Sequence, residues 1–329
     1  MRHLVLTFLL LFVPGALAAQ CAGEDLRATL TGAERDALQA QLADMPHAEG
    51  NHWTAERDGE VIHLVGTLHI DDPRLEAVTG RLAPVVADAG RLLLEMTAAE
   101  LGELQDAMAT TPDIMLLSDT TLPELMDEAQ WQELSEAVRS YGIPPFMAAK
   151  FRPWYLMMLL STPPCAMEDL ASLNGLDARL QVIARENDVP MQALEPWDTA
   201  FRALNGASIE DQLAALDLTL ATLDMAEDML ATTREAYFDE EHGAVWSLSG
   251  VLAARAGEAA SADVDAMMAG TAEALLSTRN RAWLPVILEA VEEVEGPVVA
   301  AFGAGHLSGE AGVLRLLEEE GFTLTRQPF

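Results

Sequence analysis

Four side chains able to hold a metal ion or move a proton stand where apolar runs end. His69 closes Val65-Gly66-Thr67-Leu68-His69, Glu95 follows Leu92-Leu93-Leu94, Glu195 follows Met191-Gln192-Ala193-Leu194, and His306 closes Phe302-Gly303-Ala304-Gly305-His306. A neutral imidazole offers its lone pair to a proton or a divalent cation, and a carboxylate offers a formal charge as well. Two imidazoles with a carboxylate leave coordination positions open, as a catalytic centre needs and a closed structural site does not. The chemistry such a set supports is hydrolysis, because a bound divalent ion polarises a carbonyl and lowers the pKa of water from 15.7 toward ~7. His69, His306, Glu95 and Glu195 are therefore candidate ligands, and Glu95 is a ligand or the general base. Glu195 has a competing reading, since Pro196-Trp197 already accounts for a turn there.

The phrase Gly-x-x-His occurs at Gly66–His69 and again at Gly303–His306. A glycine lets the chain leave a strand at a closeness a Cβ would hinder, and the loop then presents an imidazole at the sheet edge. The alternative is that both histidines only hydrogen-bond their own loops. Arg279, beside Asn280 and one turn before Trp283, could orient Glu95 or stabilise developing negative charge, and a structural ion pair is an equal reading. Asp177, just after Asn174-Gly175, suits the first turn of a helix, where the dipole favours a carboxylate. His47, His52, His63 and His242 take ordinary packing or solvent roles, and the paired methionines are core filler. HExxH, a Gly-x-Ser-x-Gly elbow, a P-loop and a dinucleotide fingerprint are all missing from the sequence.

The elements that position these residues follow from apolar periodicity. Asp58-Gly59 between two alternating runs predicts a hairpin with a type I′ turn. Strands are expected over 61–66, 91–94, 191–194, 298–302 and 322–325, with helices over 25–44, 72–89, 97 onward, 174–187 and 311–320. Thr97 and Glu100 form a capping box. Strand, Gly-x-x-His, helix and strand occur in that order at 61–95 and again at 298–325, an internal echo. The fold expected is α/β, a mainly parallel sheet with flanking helices and a large helical insert over about 97–290, all in one domain over 20–329. In such sheets ligands bind beyond the carboxyl ends of the strands, so parallel neighbours would bring the four candidates into one crevice.

The chain opens with Arg2 and His3, an apolar run Leu4–Val13 and then Ala16-Leu17-Ala18, the pattern of a cleaved signal peptide over 1–19. That run falls short of the ~20 apolar residues that span a bilayer, so stable membrane insertion is not expected. Cys21 and Cys165, the two cysteines, are most economically a disulfide in an oxidising compartment, periplasmic or extracellular; two buried thiols are the alternative. Net charge is -34, from 53 acidic and 19 basic residues, and this repels phosphate backbones. Nucleic-acid partners are excluded on that ground.

The ordered set of Val65-Gly66-Thr67-Leu68-His69, Leu94-Glu95, Asn174-Gly175-Leu176-Asp177, Leu194-Glu195, Arg279-Asn280 and Gly303-Ala304-Gly305-His306-Leu307 resembles the TraB/GumN family over roughly 52–326. The resemblance implies kinship with the TIKI proteins, regarded as metal-dependent proteases with two Gly-x-x-His motifs and a glutamate. It makes His69 and His306 the motif histidines and Glu95 the glutamate. It also favours Mn²⁺ or Co²⁺, with Zn²⁺ possible, and a peptide or small ester as substrate. Haem-binding and erythromycin-esterase-like relatives belong to the wider group, so the rival expectation is a binding protein that holds haem or another small ligand in the same crevice, since fold does not fix function.

Overall fold

The apolar runs assemble into one six-stranded sheet, in a computed structural model that describes residues 21–253 and 266–329. The signal peptide expected over 1–19 lies outside the described residues. The strands are β1 (His52–Arg57), β2 (Glu60–Thr67), β3 (Arg91–Leu94), β4 (Met191–Ala193), β5 (Val298–Gly303) and β6 (Thr323–Arg326), in the spatial order β4-β3-β5-β2-β1-β6. β4, β3, β5 and β2 run parallel, and β1 pairs antiparallel with both β2 and β6. The sheet is thus mixed and mainly parallel, as expected. The β1–β2 turn holds Asp58 at φ 51° and Gly59 at φ 95°, the two positive values that a type I′ turn requires.

Alternation along the strands splits the core in two. Ile62, Leu64, Leu93, Val298, Ala300 and Phe302 face one side, against Trp283 and Ile287 of helix Thr278–Glu293 and Val313, Leu314 and Leu317 of helix Val313–Glu319. Val65, Leu92, Leu94, Val299 and Ala301 face the other, against Leu75, Val78, Leu82 and Val86 of helix Leu75–Ala87 and Leu176, Leu180 and Ala184 of helix Leu176–Glu186. Each of these large side chains, taken out of water, contributes about 1.5–3 kcal/mol. Strands apolar on both faces are those of a parallel sheet covered by helices on both sides.

The insert is not purely helical. β4 returns from within it to the sheet edge beside β3, and helix Leu176–Glu186 packs with the sheet rather than with the insert. The remainder has its own core, in which Leu134 and Val138 of helix Glu128–Ser140 meet Leu156 and Leu160 of helix Pro153–Leu160 and Leu216 and Leu220 of helix Ile209–Ala221. The helix expected over 25–44 is divided. Leu26–Thr29 is a 3₁₀ turn, and Thr31 then starts a new helix, Gly32–Ala43, by forming a capping box with Glu34. Cys21 and Cys165 are joined in a disulfide that spans 144 residues of sequence and pins the segment at Cys21 to the insert. Among the described residues no helix is long and apolar enough to cross a membrane.

Candidate functional site

Four parallel strands end at one edge, and the register there is tight. Thr67 pairs with Gly303, and Leu94 pairs with Ala301 on one side and Ala193 on the other. His69, Glu95, Glu195 and His306 lie just beyond these positions, so the sheet gathers all four, and Arg279 reaches them from the helix Thr278–Glu293. Gly66 sits where the two Gly-x-x-His loops cross: a Cβ there would lie 2.7 Å from Leu307 Cδ1 and 2.9 Å from the Ala304 Cβ. The repeated glycine thus has a packing cause.

Each imidazole is held by its Nδ1. His306 Nδ1 lies 2.6 Å from Asn280 Oδ1, while Asn280 Nδ2 donates to the His306 and Ala311 carbonyls. Asn280 therefore presents an acceptor to His306, so Nδ1 carries the proton and Nε2 keeps its lone pair. His69 Nδ1 lies 2.9 Å from Asp177 Oδ1. Asp177 arrives because Gly175 allows the helix start to touch the His69 backbone; a Cβ at 175 would come within 2.6 Å of the His69 carbonyl, and Leu176 N–H donates to Leu68 O. Both Nε2 atoms then approach the same oxygen, Glu95 Oε1, at 3.7 Å from His69 and 4.0 Å from His306. That oxygen also accepts the Gly303 N–H at 2.7 Å.

Arg279 closes the back of the crevice. Its Nη2 donates at 2.6 Å to both Glu95 Oε2 and Glu195 Oε1, its Nε donates to Glu195, and its Nη1 donates to Leu275 O at 2.9 Å and lies 3.3 Å from His306 Nε2. Leu275 lies in a π-helical turn, Glu273–Ser277, that leads directly into this helix; such turns recur at functional sites. The second Glu195 oxygen accepts Trp283 Nε1–H at 2.8 Å. Glu195, taken from the sequence as a candidate ligand, is thus saturated by Arg279 and Trp283 in this arrangement.

These contacts set the charges. The His69 side chain is 54% exposed, and against the partial desolvation of its ring the Asp177 carboxylate, and then Glu95, raise its pKa to about 9. Burial lowers His306 to about 4, against the pull of Glu95, so this ring is neutral at pH 7. Burial acts to raise Glu95; the imidazoles of His306 and His69, the Arg279 guanidinium and the Gly303 N–H outweigh it and hold the carboxylate at about 2.

The donor chemistry fits a divalent cation. Two imidazoles present Nε2 beside one carboxylate oxygen, and their other nitrogens are fixed by a carboxylate and an amide, the outer-shell support that orients metal-binding histidines. Among the described residues no three His, Cys, Asp or Glu side chains stand in a ready-made coordination shell. The separations around Glu95 are those of ion-paired groups. His47, His52, His63 and His242 stay out of the crevice, but they are not idle: His52 Nε2 lies 3.2 Å from His63 Nδ1, and buried His242 bonds Asn51 and the His47 carbonyl.

Sequence reasoning took Asp177 only as a helix-start residue and missed Tyr237. The Tyr237 hydroxyl donates to Gly66 O at 3.0 Å, so helix Ala226–Phe238 fastens the loop that carries His69. No local pattern announces this contact between residues far apart in the chain.

The protein YbaP from Escherichia coli K12 is 25% identical over 178 residues, covering 52% of this chain and 64% of that one. Its namesake from Shigella flexneri is likewise 25% identical over 178 residues. The matched stretch thus spans 64% of the length of these relatives. The model of the TraB/PrgY/gumN family matches residues 51–326, from the start of β1 to the end of β6, and so takes in every residue of the crevice. The chain belongs to the TraB/PrgY/gumN family.

Proposed function

We propose that this chain is an exported, metal-dependent hydrolase acting on amide or ester bonds of a peptide or small ester. The observation that carries the reading is the pair of Gly-x-x-His imidazoles, each with Nδ1 committed and each turning Nε2 toward Glu95. His69, His306 and Glu95 would hold the ion, Mn²⁺ or Co²⁺ by family resemblance and Zn²⁺ by ligand chemistry. When bound, it would supply Lewis acidity to a carbonyl and a lowered pKa to water. Asp177 and Asn280 fix the two ring orientations. Glu95, ionised at neutral pH, offers Oε1, the oxygen that Arg279 leaves free, either to the ion as a ligand or to a proton as the general base. Arg279 balances Glu95 and Glu195 and, with Nε and Nη2 committed to them, holds Glu95 in place.

Export rests on the signal-like start and on the Cys21–Cys165 bond, which suits an oxidising compartment such as the periplasm. A haem-binding use of the crevice gains no support from its lining, in which Glu95, Glu195 and Asp177 surround the imidazoles with carboxylate charge. The test is hydrolysis of a panel of fluorogenic peptides and aryl esters by metal-reconstituted protein. Metal-stimulated turnover lost in His69→Ala and His306→Ala is expected; metal-independent turnover unchanged in both variants would reject the mechanism.

A further inference from the structure

The helices of the insert enclose a cavity of about 580 Å³. Pockets for small ligands run from about 300 to 1,000 Å³. One wall is the segment 266–277, α-helical as far as 272 and then the π-helical turn Glu273–Ser277. The other walls are helices Pro153–Leu160, Thr199–Gly206 and Ile209–Ala221, through residues such as Trp154, Leu204 and Ala215. Two of these walls continue from the crevice itself. Leu275 lines the cavity and gives its carbonyl to Arg279 Nη1 at 2.9 Å, and helix Thr199–Gly206 follows closely on Glu195 in the chain. Glu195 and Arg279 are ion-paired, so the segments leading from both diverge around this one space.

What the cavity offers a ligand is apolar. Its polar wall groups are engaged elsewhere: Asp211 accepts from Ser208 Oγ, Gln212 Nε2 donates to the Ala207 carbonyl, and Thr271 Oγ1 donates to the Met267 carbonyl. Trp154 Nε1 and Gln212 Oε1 have no partners but are enclosed, out of reach of a ligand. None of the described residues that line the cavity is lysine, arginine or histidine. A carboxylate entering it would find no cation and would meet Asp211 in a chain of net charge -34, so the occupant that fits is neutral. Met157 and Met267 give walls that adapt to a flexible aliphatic chain. Met267, Gly270, Thr271 and Ala274 share one helix face toward the cavity, at the spacing i, i+3, i+4 and i+7. A Cβ built on Gly270 would meet nothing within 4 Å.

We propose that this cavity is an acyl-chain pocket, holding the aliphatic chain of a neutral ester or amide whose carbonyl lies in the Glu95 crevice. The proposal rests on the hydrolase reading for the fate of that carbonyl, but its test is one of binding. The probes are N-methylhexanamide, N-methyloctanamide and N-methyldecanamide, titrated calorimetrically into the protein, with octanoate as the charged counterpart. Affinity should rise about fourfold for each methylene added, the effect of burying it. Octanoate should bind more weakly than N-methyloctanamide.

Gly270→Leu sends a side chain into the cavity from a helical position at which leucine is the better helix former, so the variant should unfold no more easily than wild type. It should bind N-methyldecanamide about tenfold more weakly or worse, the loss of two or more buried methylenes. Ala274→Leu, one turn further along the same face, should act alike. Failure of every amide to bind, an affinity flat in chain length, octanoate bound as tightly as N-methyloctanamide, or both leucine variants binding as wild type does overturns the proposal. Binding as described with no ester or amide turned over would sink the hydrolase reading and leave the pocket standing. Turnover of esters or amides with an affinity flat in chain length would sink the pocket alone.

Discussion

Replacing Arg279 by leucine removes the cation on which the crevice is organised, and the cost follows from its contacts. The side chain is 9% exposed and its partners Glu95 and Glu195 are 17% and 9% exposed. Removing one member of a buried ion pair costs about 3–5 kcal/mol, because the remaining charge loses its partner without regaining water. Two carboxylates are stranded here, yet neither is left bare. Glu195 keeps the Trp283 N–H and Glu95 keeps the Gly303 N–H. The loss should therefore fall at the lower end, about 3 kcal/mol at pH 7. It should also depend on pH in a definite direction. The folded pKa of wild-type Glu95 is depressed from 4.5 to about 2, so the stability this group confers is present above its unfolded pKa and is lost as pH falls toward 2. In Arg279→Leu that depression shrinks, so the difference between wild type and variant should hold from pH 7 to about 4.5 and close as pH falls from there toward 2. Urea unfolding of both proteins across that range measures it, with Arg279→Leu/Glu195→Gln recovering part of the loss. A penalty below about 1 kcal/mol at pH 7, or one that widens in acid, would refute the claim that this arginine neutralises both carboxylates.

Further outcomes follow from other contacts. Tyr237→Phe leaves the Gly66 carbonyl without its hydroxyl donor, which should cost about 1–2 kcal/mol in urea unfolding and weaken Co²⁺ binding followed by its visible absorption, since the His69 loop is no longer fastened. Burial lowers His242 from 6.5 to about 4, so the unfolded chain takes up a proton there before the folded one does; this group alone should remove about 1 kcal/mol of stability between pH 7.5 and 5.5, and His242→Gln should lessen the slope of the unfolding-versus-pH profile by that amount. Cys21→Ser/Cys165→Ser opens a crosslink spanning 144 residues and should lower unfolding free energy by about 2–4 kcal/mol under non-reducing conditions, a difference that reductant abolishes.

Much of this site was legible in the sequence because it lies at strand ends. Leu92-Leu93-Leu94 and Val298–Phe302 are apolar on both faces, a local property that parallel pairing exploits, and the residues after them are fixed in place by chain continuity alone. Asp58-Gly59 announced its own turn through backbone preference. What chain continuity could not supply was the partner of each group. Asp177 meets His69 only because Gly175 lets one helix press on a distant loop, and Asn280 meets His306 across 26 residues of chain. Glu195 looked like a ligand from its position; its commitment to Arg279 and Trp283 depends on where a helix 84 residues later packs. The break between the 3₁₀ turn and helix Gly32–Ala43 had a local cause, the Thr31–Glu34 capping box, and the apolar period of Leu26, Leu30, Leu38 and Leu42 runs straight across it.

The central claim is that His69 and His306, gathered at Glu95, form a metal site. Its most direct test is calorimetric titration of the metal-stripped protein with Mn²⁺, Co²⁺ and Zn²⁺, with His69→Ala/His306→Ala alongside. The account predicts one site per chain, binding that releases protons and tightens as pH rises through the His69 pKa of about 9, and loss of that site in the double variant. Equal binding by wild type and double variant, or none by either, would contradict it.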